Sequence, residues 1–333
     1  MSKPNLLSKR TRWLLTHRAQ LGFSFQTRTM RVHSTKRPCG EGGAKRSWWR
    51  KGTALSAITT KNLLRPPGIL SISYDRMIAA YSTPTTLRCI NRRGEVLWSY
   101  QFTDRTKGYM CYITQPEFSF DGRVVWLYRP DCGIWGEDCT DKLLAINAAT
   151  GSIISQEDLG STGHCARFLA HPNNQFMLLD VGEGQDGSPL FMFYLDEADS
   201  VQLTRCDWCV GYRLLDISLD GTRCVSVDEM QNRVILHSLP SGQTLGTIEV
   251  DEFGQDASYI ETYPGGYCDD NSVIINVRGE SEGSDWNQRF LLDAHAMKVI
   301  RPIGPQTEDA ESLFLPGNGM FVNSWSIEEI PTE

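Results

Sequence analysis

The chain has 333 residues, 40% of them hydrophobic and 22% charged, with ten cysteines and a net charge of −7. This is enough chain for one large domain or two ordinary ones, with an ordinary globular composition. No apolar run approaches the ~18 residues of a membrane-spanning helix, and no compact apolar stretch follows Met1 as a secretory signal would require.

The charge is split along the chain. Residues 1–65 hold 15 Lys and Arg and one acid, Glu41, a net of +14, and the remainder carries −21. An acidic body argues against a phosphate-backbone partner, so neither nucleic acid nor membrane is expected to bind. The basic segment has three readings: an Arg-rich, Ser/Thr-rich transit peptide, a disordered basic arm, or sequence upstream of a native start at Met30 or later. Pro38, Gly40, Gly42 and Gly43 interrupt any long helix in it. The chain is therefore divided into a basic, poorly ordered segment at 1–65 and a body at 66–333, with residues 1–50 expected to be removable. The expected location is intracellular and cytoplasmic, or mitochondrial if 1–65 is a transit peptide. With no secretory signal, the ten scattered cysteines are expected as reduced, mostly buried thiols.

From residue 66 the pattern is of short apolar or alternating runs broken by Gly, Asp, Asn and Pro, which predicts strands and hairpins. The runs recur. "SISYDRMIAAY" turns at Asp75, "EFSFDGRVVWLY" at Asp121 and "FLAHPNNQFMLLD" at Asn173. "DISLDGTRCVSVD" turns at Asp220, "YCDDNSVIINV" at Asp270 and "LFLPGNGMFVNSW" at Gly317. The steps between these anchors are 46, 52, 47, 50 and 47 residues. A second hairpin follows in most units, turning at Gly94, Gly151 and Gly242, and without glycine in "LFMFYLDEADSVQL" and "RFLLDAHAMKVI". Each unit thus holds about four strands. Such a sheet cannot bury both faces alone and stacks on copies of itself. Stacking around an axis leaves only short, protected edges. The expected fold is all-β, a β-propeller of about six four-stranded blades, with almost no helix.

In repeat form, roughly residues 66–330 resemble the WD-repeat, YVTN and quinoprotein-dehydrogenase-like propellers. Gly163-His164 is similar to the Gly-His of a WD repeat, and "GEVLWSY", Gly94 to Tyr100, resembles a tryptophan-docking repeat of the quinoprotein enzymes. No Trp-Asp dipeptide occurs, so no family's active-site residues carry over. The resemblance implies that His164 joins a structural hydrogen-bond network. Asp121 and Asp220 are read as structural turn residues. The sixth unit has one hairpin, Leu313 to Trp325; its remaining strands are sought upstream, in Gly22 to Ser34 or Thr53 to Lys61.

Four stretches invite a chemical reading. Asp180 to Gly187 alternates acids and glycines, but Gly182 and Gly184 stand where calcium ligands belong, and Tyr194 lies close to where the closing glutamate is needed. It is read as a strand connection with its acids facing solvent or the axis. Cys206-Asp-Trp-Cys209 lacks the second pair that a zinc site uses and the helix start that activates a redox pair. His171 is expected exposed beside Pro172. Tyr128 to Asp141 is an inserted loop mixing Trp135 with charges.

Arg129, Asp131, Trp135, Asp180, Glu183, Asp186, Asp228 and Arg278 lie on or near the segments after the second strands and are expected on one rim, where binding loops concentrate on a rigid scaffold. The sequence reads as a monomeric, non-enzymatic binding or scaffold protein that takes a protein or small molecule on that rim, without metal or cofactor. The alternative is an enzyme with a site in the central funnel, a metal-dependent lactonase-like hydrolase or a quinoprotein-like oxidoreductase.

Overall fold

The computed structural model describes residues 70–307, except 84, 103–113, 137, 185–186 and 263–264, together with the strand backbones at 320–322 and 327–329. Residues 1–65, the turn at Gly317, Glu137 and Asp186 thus lie outside the described residues.

Five antiparallel meanders follow one another along the chain. The first holds β1 (Leu70–Ile72), β2 (Ile78–Ser82), β3 (Thr86–Asn91) and β4 (Val96–Gln101). The second holds β5 (Gln115–Phe118), β6 (Val124–Arg129), β7 (Lys142–Asn147) and β8 (Ile153–Asp158). The third holds β9 (Cys165–Ala170), β10 (Met177–Gly182), β11 (Leu190–Leu195) and β12 (Val201–Arg205). The fourth holds β13 (Tyr212–Ile217), β14 (Arg223–Asp228), β15 (Arg233–Ser238) and β16 (Thr244–Glu249). In the fifth, β17 (Ala257–Ile260) and β18 (Gly266–Tyr267) share the first position, followed by β19 (Ser272–Ser281), β20 (Ser284–Asp293) and β21 (Lys298–Thr307). A further hairpin pairs β22 (Met320–Val322) with β23 (Ile327–Glu329).

The first strands meet at the centre, where β1 touches β5, β5 touches β9 and β13 touches β18. The second strands are packed on both faces: every residue of β6 and β10 is buried. The fourth strands are mostly exposed, as outer edges are. Consecutive sheets share cores. Leu87 and Cys89 of the first pack with Phe118, Val125 and Leu144 of the second, and Leu215 and Val225 of the fourth pack with Ile260 and Ile275 of the fifth.

The repeated turns have a chemical reason. Ser73, Ser119 and Ser218 each donate a side-chain hydrogen bond to the aspartate two residues on, Asp75, Asp121 and Asp220, at 2.7, 2.7 and 2.6 Å. That aspartate then accepts the backbone N–H of Met77, Arg123 or Thr222, a local closure that favours a turn over continued strand. In the third sheet His171 stands in the serine's position, and its Nδ1 receives the N–H of Asn173 at 3.3 Å. These turns are also tied to one another. Phe120 N–H donates to Asn174, His171 Nε2 meets Gly221 O at 3.0 Å, and Asp220 N–H donates to Asp270.

Trp98, on β4, fixes the first sheet to the second. Its indole N–H donates to Ala148 O at 2.8 Å. Its ring covers Gly151, where an added Cβ would lie 2.6 Å from the indole and where φ is +76°; only glycine suits such a place.

Several expectations need correction. His171 is buried, not exposed, because its ring fills the gap between the turns of the third and fourth sheets. Residues Asp207–Cys209 form a 3₁₀ turn, where no helix was expected; Trp208 on it stacks 5.1 Å from His237. The stretch Tyr128 to Asp141 is not all loop: α1 (Asp131–Trp135) opens it. Asp180 does not face solvent. It lies inside β10, which runs on to Gly182 because that glycine leaves room for the guanidinium of Arg213.

Burial holds the ionisation of His171 and His237 below the ordinary imidazole range, against the opposing bonds from Gly221 O and Gly242 O. The folded chain therefore binds fewer protons at these rings than the unfolded chain does. Their contribution to stability is complete above the unfolded value of about 6.5 and is lost as pH falls below it. Thermal melts from pH 7.5 to 5.5 should show a falling Tm, and a His171→Gln/His237→Gln variant a flatter profile. An equal slope in the variant would remove these rings from the account.

Candidate functional site

In each meander the connections between second and third strands leave at the same end as those leading to the next sheet. This end is the rim on which the eight candidate residues were expected. Arg129 and Asp131 are both buried and pair with each other: Nε donates to Oδ1, and Nη2 to Oδ2 at 2.8 Å. Arg129 Nη1 also reaches Tyr100 Oη, on the first sheet, at 2.8 Å. The pair sits at the start of α1, where the chain leaves β6. Trp135, at the other end of α1, is 38% exposed.

Asp180 is buried on β10. Its Oδ2 accepts Leu214 N–H of the fourth sheet at 3.1 Å, and its Oδ1 lies 3.6 Å from Arg213 Nη1. Burial pushes its carboxyl above the usual range, opposed by Arg213 and by the Leu214 N–H. Glu183, just beyond the strand, accepts Thr162 N–H at 2.9 Å. Asp228 ends β14 and accepts the N–H groups of Asn232 and Arg233 at 2.7 and 2.8 Å, shaping the next hairpin. Arg278, on β19, pairs with Glu261 at 2.5 Å. The candidates thus reach the rim region but not one point. The ones nearest the strand ends join strand to strand and sheet to sheet.

Two further features of this rim had no clear sequence signal. Asp141 is fully buried, and its Oδ2 accepts Tyr128 Oη, Ser161 Oγ and Gly163 N–H at 2.8, 3.2 and 2.6 Å. His164, next in the chain, is exposed with its ring beside Gly184, so the buried network here centres on Asp141. The other is an apolar pair. Val210 and Met230 are 66% and 74% exposed, the most exposed large apolar side chains among the described residues. The bond from Glu229 N–H to Gly211 O at 2.9 Å places their two connections side by side.

Charge is distributed unevenly. The connections at 130–141, 183–189, 206–211, 229–232, 250–256 and 282–283 each carry at least one acid, and none carries Lys or Arg. Four arginines near these strand ends have acid partners, Arg129 with Asp131, Arg213 with Asp180, Arg233 with Asp228 and Arg278 with Glu261. By contrast Arg205, which ends β12, is exposed, and the segment between β4 and β5 contains Arg105 and Lys107 beside Asp104. On the opposite rim, Arg76, Arg92, Arg93 and Arg123 stand among the acids. Among the described residues no three His, Cys, Asp or Glu side chains come together as metal ligands. Cys209 and Cys224 are buried, and burial raises their thiols far above the ordinary range; that of Cys206 is raised to about 11. Such thiols do not ionise near neutrality, so the spacing of Cys206 and Cys209 marks packing.

No family model matches the chain, and no curated protein matches it. Solved structures do. Hydrazine synthase of Kuenenia stuttgartiensis superposes with a TM-score of 0.51 at 14% identity, over 75% of this chain and 71% of that one. The chain is a β-propeller. The dihydro-heme d1 dehydrogenase NirN in complex with DHE is also similar, at TM-score 0.49 and 14% identity, over 77% of this propeller. This chain spans 49% of the NirN chain. The WD40 domain of SCAP from fission yeast gives 0.49 at 7% identity, over 76% of this propeller and 67% of that chain. At such identities the likeness is one of fold, on which unrelated functions are built. Among the described residues of the propeller no helix is long and apolar enough to cross a membrane.

Proposed function

We propose that this propeller is a monomeric, non-enzymatic binding module that takes a basic, partly apolar segment of a protein partner on its acidic rim. One observation carries the reading: Val210 and Met230 stand exposed on adjacent connections, flanked by the exposed acids Asp207 and Glu229. Apolar side chains exposed together and edged by charge are the usual make-up of a protein-binding surface. The six acid-bearing connections named above hold no Lys or Arg, which favours a cationic partner and speeds its approach. Arg129, Asp131, Asp180 and Asp228 act from below as the rigid frame of that surface, while Trp135 and Glu183 extend it.

The test is binding of a fluorescent peptide rich in Lys, Arg and Leu to the full chain, by anisotropy, at 50 and 500 mM salt. Affinity should fall with salt. Val210→Ser/Met230→Ser should weaken binding roughly tenfold or more, as loss of an interface centre does. Asp207→Asn/Glu229→Gln should weaken it chiefly at low salt. Asp196→Asn/Glu197→Gln, on the opposite rim, should leave it unchanged. Equal effects from the two rims would refute the reading.

A further inference from the structure

Between the third and fourth propeller blades, at the acidic rim, three polar side chains stand close together and under-bonded. Gly182 ends β10, and its missing side chain leaves a slot that Arg213 of β13 fills. A Cβ on Gly182 would lie 3.1 and 3.5 Å from Arg213 Nη1 and Nη2, and 3.4 Å from Cys165 Sγ, which forms one wall. Asp180, two residues back on the same face of the strand, is the floor. Its Oδ2 is held by Leu214 N–H, but its Oδ1 is buried and accepts no hydrogen bond. Ser188 is the other wall. The bonds from Val181 N–H to Pro189 O and from Glu183 N–H to Gly187 O set Ser188 directly across from Gly182, on that face. Ser188 is 3% exposed, and its Oγ has no hydrogen-bond partner either.

Buried oxygens left unbonded lower stability, so the two here call for an account. Arg213 does not supply it. Its Nη1 is 3.6 Å from Asp180 Oδ1, an ion pair beyond hydrogen-bond reach, and its side chain is 32% exposed. Among the described residues it donates no hydrogen bond. Its N–H groups are fixed in one planar fork, and over Gly182 that fork meets neither oxygen. An ammonium is a compact charge with three donors that rotate freely, so it can reach Asp180 Oδ1 and Ser188 Oγ together. Glu229 adds a second carboxylate at the mouth, its Oε1 3.2 Å from where a Cβ on Gly187 would lie. Val210 and Met230 are exposed on the two connections beside it, which the bond from Glu229 N–H to Gly211 O joins.

We propose that this slot is the subsite for a lysine side chain of the basic segment that binds the acidic rim, and that Arg213 is a latch that occupies it until the lysine enters. The proposal rests on the rim reading and adds which cation enters and where. Arg213 swings into solvent, a change of little cost for a partly exposed pair without a hydrogen bond. The lysine ammonium then donates to Asp180 Oδ1 and Ser188 Oγ, and its alkyl stem lies along Val210 and Met230. Asp180 Oδ2 keeps Leu214 N–H, so the joint between the blades stays intact. An arginine of the partner would repeat the poor fit of Arg213.

Two fluorescent peptides with the same leucines, one with every cation lysine and the other with every cation arginine, test this on the full chain by anisotropy. The all-lysine peptide should bind about tenfold more tightly, as one added hydrogen bond to a charged group allows. Ser188→Ala changes no charge and should bring the all-lysine peptide down to the affinity of the all-arginine one. Its Tm should hold or rise, because the hydroxyl it removes is buried and unbonded. Gly182→Ala fills the slot and should abolish the preference too, which keeps the test open if the serine variant folds poorly. Arg213→Gln removes a positive charge, which tightens both peptides alike, and the latch, which widens the ratio between them; an unchanged ratio would overturn the latch. Equal affinities for the two peptides, with binding still weakened by Val210→Ser/Met230→Ser, would overturn the slot and leave the rim reading standing. Binding of neither peptide would remove both.

Discussion

Replacing Trp98 with alanine is expected to destabilise the protein by about 3–5 kcal/mol, the range for removing a large buried aromatic. Tm should fall by roughly 10 °C for a domain of this size. Three losses combine. The ring leaves a cavity between the first two blades, Ala148 O loses its indole donor, and Gly151 loses the surface that covers it. Trp135→Ala is the control. Its ring is 38% exposed, so the change should stay within about 0.5 kcal/mol. Paired melts of the two variants check this, and a similar loss in both would contradict the division between a docked and a displayed tryptophan.

The second large effect concerns Arg129 and Asp131. Their side chains are 10% and 2% exposed. Asp131→Ala leaves a guanidinium buried without its carboxylate, which costs about 3–5 kcal/mol. Removing both charges with Arg129→Met/Asp131→Leu should recover much of that loss, because two desolvation penalties disappear together. Denaturant titrations of the single and double variants measure the coupling. If the double variant is as unstable as the single, the pair contributes more than mutual neutralisation.

The turns were legible in the sequence because their chemistry is local. Asp75, Asp121 and Asp220 announce themselves, and the serine two residues before each was equally visible, although its part in the repeat became plain only from the bonds it donates. The rim was harder to read. Asp180 looks like a loop acid, yet its partner Leu214 lies 34 residues away. His171 looks exposed beside Pro172, yet its partner Gly221 lies 50 residues away. Which side of a strand an acid takes depends on the neighbouring blade, and one blade's sequence does not contain its neighbour. Val210 and Met230 were illegible for the opposite reason. They resemble core residues, and only the three-dimensional packing leaves them outside.

The belt of bonds joining Phe120 to Asn174, His171 to Gly221 and Asp220 to Asp270 has a bearing on synthesis. Each spans about one blade of chain, with separations of 54, 50 and 50 residues. Contacts within a blade are shorter still. A blade leaving the ribosome therefore finds the surface it needs already made, and each step closes only a modest loop. Assembly can keep pace with translation through five blades, each shielding the apolar flank of the one before it.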